Sequence, residues 1–144
     1  MNRLSILCII DFSESSTKAL VWATGIAADL NAHLIIVHPH RLNQLVKNED
    51  HVLAKKKMDI EATKNFEEIA TKLFKNSSVS YDFQSEVGFI QDRVKEYIRK
   101  NNILLVAMGK KLMTANKETV DELMEQIDVP LVIIPDQIKL NFDN

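Results

Sequence analysis

Residues 4–13 read Leu4-Ser5-Ile6-Leu7-Cys8-Ile9-Ile10-Asp11-Phe12-Ser13. The run from Leu4 to Ile10 is too short for a buried helix and shows no polar alternation, which is the pattern of a strand covered on both faces. It stops at Asp11. Ser13, Ser15 and Ser16 then offer hydroxyl oxygens to the first amides of a helix. Ala19, Leu20, Ala23, Ile26, Ala27 and Leu30 recur along that helix at 3.6-residue spacing. Asn31, which tolerates the left-handed conformation of a helix stop, ends it. A strand buried on both faces that feeds straight into an amphipathic helix is the first half of a parallel crossover unit, and this decides the fold class.

The same unit recurs along the chain. His33–His38 reads as a second buried strand stopped by Pro39, which has no N–H for a ladder. A loop then carries His40 to about Glu49. From about Asp50 to Lys75, Met58, Ala62, Phe66, Ile69 and Leu73 share one face of a long helix, and Asn76-Ser77-Ser78 ends it. Val79–Val87 alternates (Val79, Tyr81, Phe83 against Ser80, Asp82, Gln84), as expected of a strand at a sheet edge. After the turn at Gly88, Ile90, Val94 and Ile98 mark a third helix and Ile103–Met108 a fourth strand. Val120, Leu123, Met124 and Ile127 mark a last helix, and Val129–Ile134 a fifth strand. Strands alternating with helices need right-handed crossovers, so the expectation is a doubly wound, five-stranded, mainly parallel α/β sheet with two helices on each face. In such a sheet ligands gather at the carboxyl ends of the strands, here Asp11–Ser13, Pro39-His40 and the segment after Gly109.

Composition narrows the function. The 144 residues suffice for one core without disulfides or metal, and one domain spanning 1–144 is expected, with its core over about 3–135 and a tail at 136–144. Apolar residues at 46% and charged residues at 26% exclude a disordered chain. The formal net charge of −2 gives no pull toward nucleic acid. The one basic cluster, Lys55-Lys56-Lys57, is followed at once by Asp59 and Glu61, the pattern of a solvated helix face. Cys8 is the sole cysteine and sits mid-strand among isoleucines, a core residue. With no intrachain disulfide possible, no signal-peptide pattern and no apolar run of membrane-spanning length, a cytoplasmic protein without membrane contact is expected.

Few motifs carry chemistry. Asp11 at the first strand tip has two readings, an orienting group for a ribose, adenine or metal and a turn residue bonded to nearby amides. His38-Pro39-His40 has H-x-H spacing, but two histidines so spaced share a strand face only if the strand runs through Pro39, and no cysteine or carboxylate motif joins them, so no metal site is expected. Trp22 and Met108 read as core. There is no G-x-S-x-G elbow, no C-x-x-C and no Walker sequence, and no catalytic residue is assigned.

The order of elements and several strings together resemble the universal stress protein family over nearly the whole chain. Ile6-Leu7-Cys8-Ile9-Ile10-Asp11-Phe12-Ser13-Glu14-Ser15 is similar to that family's first strand and Asp-x-Ser helix start. Leu34–His38 resembles its apolar second strand ending in His, and Val87-Gly88 the opening of its third helix. Val106-Ala107-Met108-Gly109 resembles the Val-Met-Gly end of its fourth strand, and Val129-Pro130-Leu131-Val132-Ile133-Ile134-Pro135 its closing strand. The resemblance implies an adenine-nucleotide alpha-hydrolase-like fold and a stress-response or signalling module. It also implies a homodimer in which Leu131, Val132, Ile133 and Ile134 pair with their twofold copies. Protein partners are not named by any feature.

Many members of that family bind ATP through Gly-x2-Gly-x9-Gly-Ser/Thr after strand four, where glycine backbones approach the phosphates and bare amides cradle the anion. Here Lys110-Lys111-Leu112 follows Gly109 where a second glycine belongs. Glu118 stands near the third, and no glycine occurs from residue 110 onward. Pro39, where relatives offer backbone to adenine, has no N–H to give. Asp11, Ser13, Pro39, Gly109, Lys110 and Lys111 therefore form a degenerate nucleotide pocket, and the expectation is a non-catalytic homodimer without cofactor. The alternative is an ATP- or AMP-binding switch or slow ATPase, in which Lys110 and Lys111 hold phosphate by charge.

Overall fold

The computed structural model describes residues 3–40 and 51–138. Strand β1 (Leu4–Ile9) leads into α1 (Glu14–Leu30), β2 (His33–His40), α2 (His51–Leu73), β3 (Tyr81–Val87) and α3 (Ile90–Lys100). Then follow β4 (Asn102–Gly109), α4 (Lys110–Ala115), α5 (Lys117–Gln126) and β5 (Leu131–Ile134). The five strands form one sheet in the order β3-β2-β1-β4-β5, and every neighbouring pair is parallel. The order reverses between β1 and β4, so the crevice of this doubly wound sheet opens above Ile9 and Met108, which are in register.

Side-chain alternation on the central strand divides the interior. Ile6, Cys8 and Ile10 face Leu20, Ala23 and Ala27 of α1 and Phe66 of α2. Leu7 and Ile9 face Val94 of α3, Leu112 of α4 and Val120 and Leu123 of α5. Burial pushes the Cys8 thiol up to about 12, so it stays protonated and unreactive as the sequence suggested. No helix among the described residues is long and apolar enough to cross a membrane.

Both ends of α1 follow the sequence. Ser13 is the N-cap and accepts from the Ser16 amide, and Asn31 closes the helix in the left-handed conformation at φ 53°. Four details differ from expectation. First, β2 does not stop at Pro39 but runs through it to His40, with Pro39 paired to Glu86. In a parallel strand successive residues point their backbone groups to alternate neighbours. Ile10 donates to the Val37 carbonyl and Gly88 donates to the His40 carbonyl, so odd positions face β1 and even ones β3. The missing N–H of Pro39 therefore points toward β1, which has already ended at Ile9, and no ladder bond is lost. Second, the segment after Gly109 coils into α4, because Lys110–Ala115 contains good helix formers and no breaker. The face opposite α1 and α2 thus carries three helices. Third, Met124, read as part of the core stripe, is 54% exposed, and Ile127 packs from just beyond the end of α5. Fourth, α2 ends at Leu73 rather than near Lys75; the expected loop at 41–49 and Asp50 lie outside the described residues. Its lysine cluster is a solvated face as expected, with Lys55 paired to Asp59 at 2.6 Å.

Candidate functional site

The turn from β1 to α1 is built around one carboxylate oxygen. Asp11 Oδ1 accepts from the Ser13 amide at 3.0 Å, the Ser13 hydroxyl at 2.5 Å and the Ser16 hydroxyl at 2.6 Å. Burial raises the Asp11 pKa, but the bonds from Ser13 and Ser16 and the charge of Lys111 outweigh it, so the group sits below its ordinary range and is ionised at neutral pH. Asp11 and Ser13 are thus spent on starting α1, the turn role weighed from sequence.

Between them Phe12 adopts φ 64°, a left-handed conformation costly for a bulky side chain. Its ring lies 4.7 Å from that of His38 and 6.2 Å from Phe83. Those contacts hold the residue in place. Of the two truncations, Phe12→Gly is expected to be more stable than Phe12→Ala by roughly 1 kcal/mol, because only glycine takes φ 64° without a Cβ penalty. Urea unfolding of the two variants measures the difference, and equal stabilities would mean that the turn relaxes.

Across the crevice, Gly109 is the point of closest approach. A Cβ there would lie 2.6 Å from Ser15 Oγ, 2.7 Å from the Ser15 carbonyl oxygen and 2.9 Å from its carbon. The Lys111 amide donates to Ser15 Oγ at 3.2 Å. Glycine is needed at 109 so that β4 can meet the first turn of α1. Lys110 and Lys111 are exposed.

Two cavities flank β2. One, of about 410 Å³, is lined by Pro39, His40, Gly88, Phe89, Ile90, Leu112, Asn116 and Thr119 among others. Helices α3 and α5 both begin at its wall, and neither N-cap residue, Phe89 or Asn116, caps its helix with its side chain. The Asn116 side chain turns back to donate to the Leu112 carbonyl at 2.9 Å. The other cavity, of about 290 Å³, lies under α2 and is lined by residues including Asp11, Phe12, His38, His40, Glu61 and Asn65. The sequence-selected residues thus meet at the strand ends but not in one cavity: Pro39 lines the first, Asp11 the second, and Ser13, Gly109, Lys110 and Lys111 line neither.

Sequence reasoning missed a polar network beneath His40. Asp59 on α2 and Ser85 on β3 converge on its Nε2, at 3.3 Å and 2.9 Å, and Ser85 donates to Asp59 at 2.8 Å. These residues are 19 and 45 positions from His40, and no local pattern links them.

The whole arrangement matches a known architecture. The model of the universal stress protein family fits residues 3–135. The chain belongs to that family. Among solved structures, a universal stress protein in complex with cAMP is 17% identical, with TM-score 0.69, covering 95% of this chain and 100% of that one. A family member from Burkholderia pseudomallei is 19% identical, with TM-score 0.72 over 91% and 95% of the two chains. The universal stress protein from Archaeoglobus fulgidus in complex with dAMP is 14% identical, with TM-score 0.61 over 93% and 99%. At these identities the likeness shows the fold. Among curated protein sequences none matches this chain.

Proposed function

We propose that this universal stress protein is a non-catalytic cytoplasmic stress-response or signalling module that acts as a homodimer and does not bind ATP in the manner of its nucleotide-binding relatives. One observation carries this reading. Where those relatives keep an open glycine loop, this chain coils directly into α4, buries Leu112 to 7% exposure in the core, and commits the Lys111 amide to Ser15 Oγ. A phosphate cradle needs bare amides and glycine-sized gaps, and here one amide is spent and one gap is filled. Thermal unfolding with millimolar ATP tests it. Ligand at a hundred times its Kd would add about 2.7 kcal/mol, several degrees in Tm, whereas no shift is expected.

A second reading, a pocket for a smaller adenine nucleotide such as AMP or cAMP, is favoured by the 410 Å³ cavity where α3 and α5 begin without side-chain caps, since helix N-termini attract anions. Two of the similar structures hold cAMP and dAMP. The same thermal experiment with AMP and cAMP separates the readings: a shift with either, and none with ATP, favours the smaller ligand.

The dimer reading rests on β5, which is a sheet edge. Val106 donates to the Pro130 carbonyl, so even positions of this segment face β4 and the backbone groups of Leu131 and Ile133 point outward. Their side chains pack into the core on the α5 face, while Ile134 is buried. The outward backbone is therefore the part of β5 left to pair with a twofold copy, with Pro130 and Pro135 bracketing the contact. Light scattering at micromolar concentration is expected to give twice the 16.4 kDa of one chain, and a monomer mass would remove this element of the proposal.

A further inference from the structure

The continuation of β2 through Pro39 brings the two histidines together. Because β2 runs straight through Pro39, His38 and His40 point to the same face, and their ring centroids lie 5.7 Å apart. Each ring has one nitrogen whose role is fixed by its partner. Nδ1 of His38 lies 3.0 Å from the Ile10 carbonyl oxygen, which can only accept, so Nδ1 carries the hydrogen and Nε2 the lone pair. For His40 the partner that fixes the tautomer is Ser85. Its one hydroxyl hydrogen goes to Asp59, so Ser85 Oγ can only accept from His40, and Nε2 carries the hydrogen. That leaves Nδ1 of His40 as a lone pair. It is buried and has no hydrogen-bond partner, on a side chain only 8% exposed. A buried acceptor left without a donor is costly and calls for a ligand, water or ion.

We propose that His38 Nε2 and His40 Nδ1 are the protein ligands of a divalent transition-metal ion of the imidazole-preferring kind, Zn²⁺ or Co²⁺, bound in the 290 Å³ cavity beneath α2. Spacing supports it. With metal–nitrogen bonds of about 2.0–2.1 Å and near-tetrahedral angles, two ligating imidazoles place their centroids roughly 5–6 Å apart, which the 5.7 Å separation matches. So does the surrounding shell. Metal-bound histidines give their second N–H to a carbonyl or carboxylate, and here one gives it to the Ile10 carbonyl and the other to the Ser85–Asp59 pair. Among the described residues no group of three His, Cys, Asp and Glu side chains is poised to hold a metal. The two histidines therefore form the anchored half of the site, and water or the carboxylate of Glu61, on the same cavity wall, completes it. Asp59 and Ser85 are positioning residues.

The test uses the full chain. Calorimetric titration with Zn²⁺ is expected to show saturable one-to-one binding. In NMR spectra of the wild type, substoichiometric Co²⁺ is expected to shift or broaden the imidazole signals of His38 and His40 ahead of those of His33 and His51. His38→Ala should weaken Zn²⁺ binding by at least about tenfold, and Asp59→Asn by about tenfold through loss of orientation. Absence of saturable binding at about 100 μM Zn²⁺, unchanged affinity in a folded His38→Ala protein, or Co²⁺ effects centred on His33 or His51 would each overturn the proposal. The wild-type NMR measurement decides the matter even if a variant at buried His40 fails to fold.

Discussion

Replacing Leu112 with glycine, which restores the second glycine of the ATP-binding pattern, is expected to lower the unfolding free energy by about 3–6 kcal/mol and to leave ATP unbound. Leu112 packs among Val94, Met108, Val120 and Leu123, so its removal leaves a cavity that the rigid sheet cannot collapse to fill. Deleting a buried leucine to alanine costs about 2–5 kcal/mol, and glycine in a helix adds roughly 1 kcal/mol. No ATP affinity is expected to appear, because two other features survive the change: the Lys111 amide is still bonded to Ser15 Oγ, and Pro39 still lacks an N–H. Urea unfolding gives the stability, and ATP titration of the folded variant gives the second result. If the glycine variant acquired ATP affinity, Leu112 alone would be the block.

The second large effect is expected at Gly109. Gly109→Ala should cost about 1–3 kcal/mol or more, because the new methyl group meets the Ser15 backbone and either α1 or the end of β4 must move. Two of the three close contacts are to the Ser15 carbonyl group, so removing the Ser15 hydroxyl should not rescue the variant. A Gly109→Ala, Ser15→Ala double variant as stable as Ser15→Ala alone would show that the hydroxyl was the only obstacle. This glycine therefore has a packing reason to be present that is independent of any phosphate.

The sheet and its order of elements were legible because burial on both faces leaves a simple trace. Leu4–Ile10, Leu34–Val37 and Ile103–Met108 are near-continuous apolar runs, whereas the alternation of Tyr81–Val87 marks β3 as an edge, which it is. The caps at Ser13 and Asn31 were equally plain, since both are local side-chain chemistry. Pro39 was misread because a proline's effect on a strand depends on which neighbour its nitrogen faces, and that is set by where β1 ends. Helix α4 was missed because six residues carry too little periodicity to register.

The site was legible only in position. Asp11, Pro39 and Gly109 do cluster at the strand ends, as a doubly wound sheet requires. What each residue does there depends on partners that the sequence does not place nearby. Ser15 meets Gly109 and Lys111 across 94 and 96 positions of the chain. Asp59 and Ser85 reach His40 from a helix and a strand that flank it only after folding.

The central claim, that this family member has lost ATP binding through the coil of α4 and the filled glycine gap, is tested most directly by isothermal titration of the native protein with ATP. At about 100 μM protein, the account predicts no heat beyond dilution, since even a binding free energy near −6 kcal/mol would register at that concentration. A saturable isotherm with micromolar affinity would contradict it.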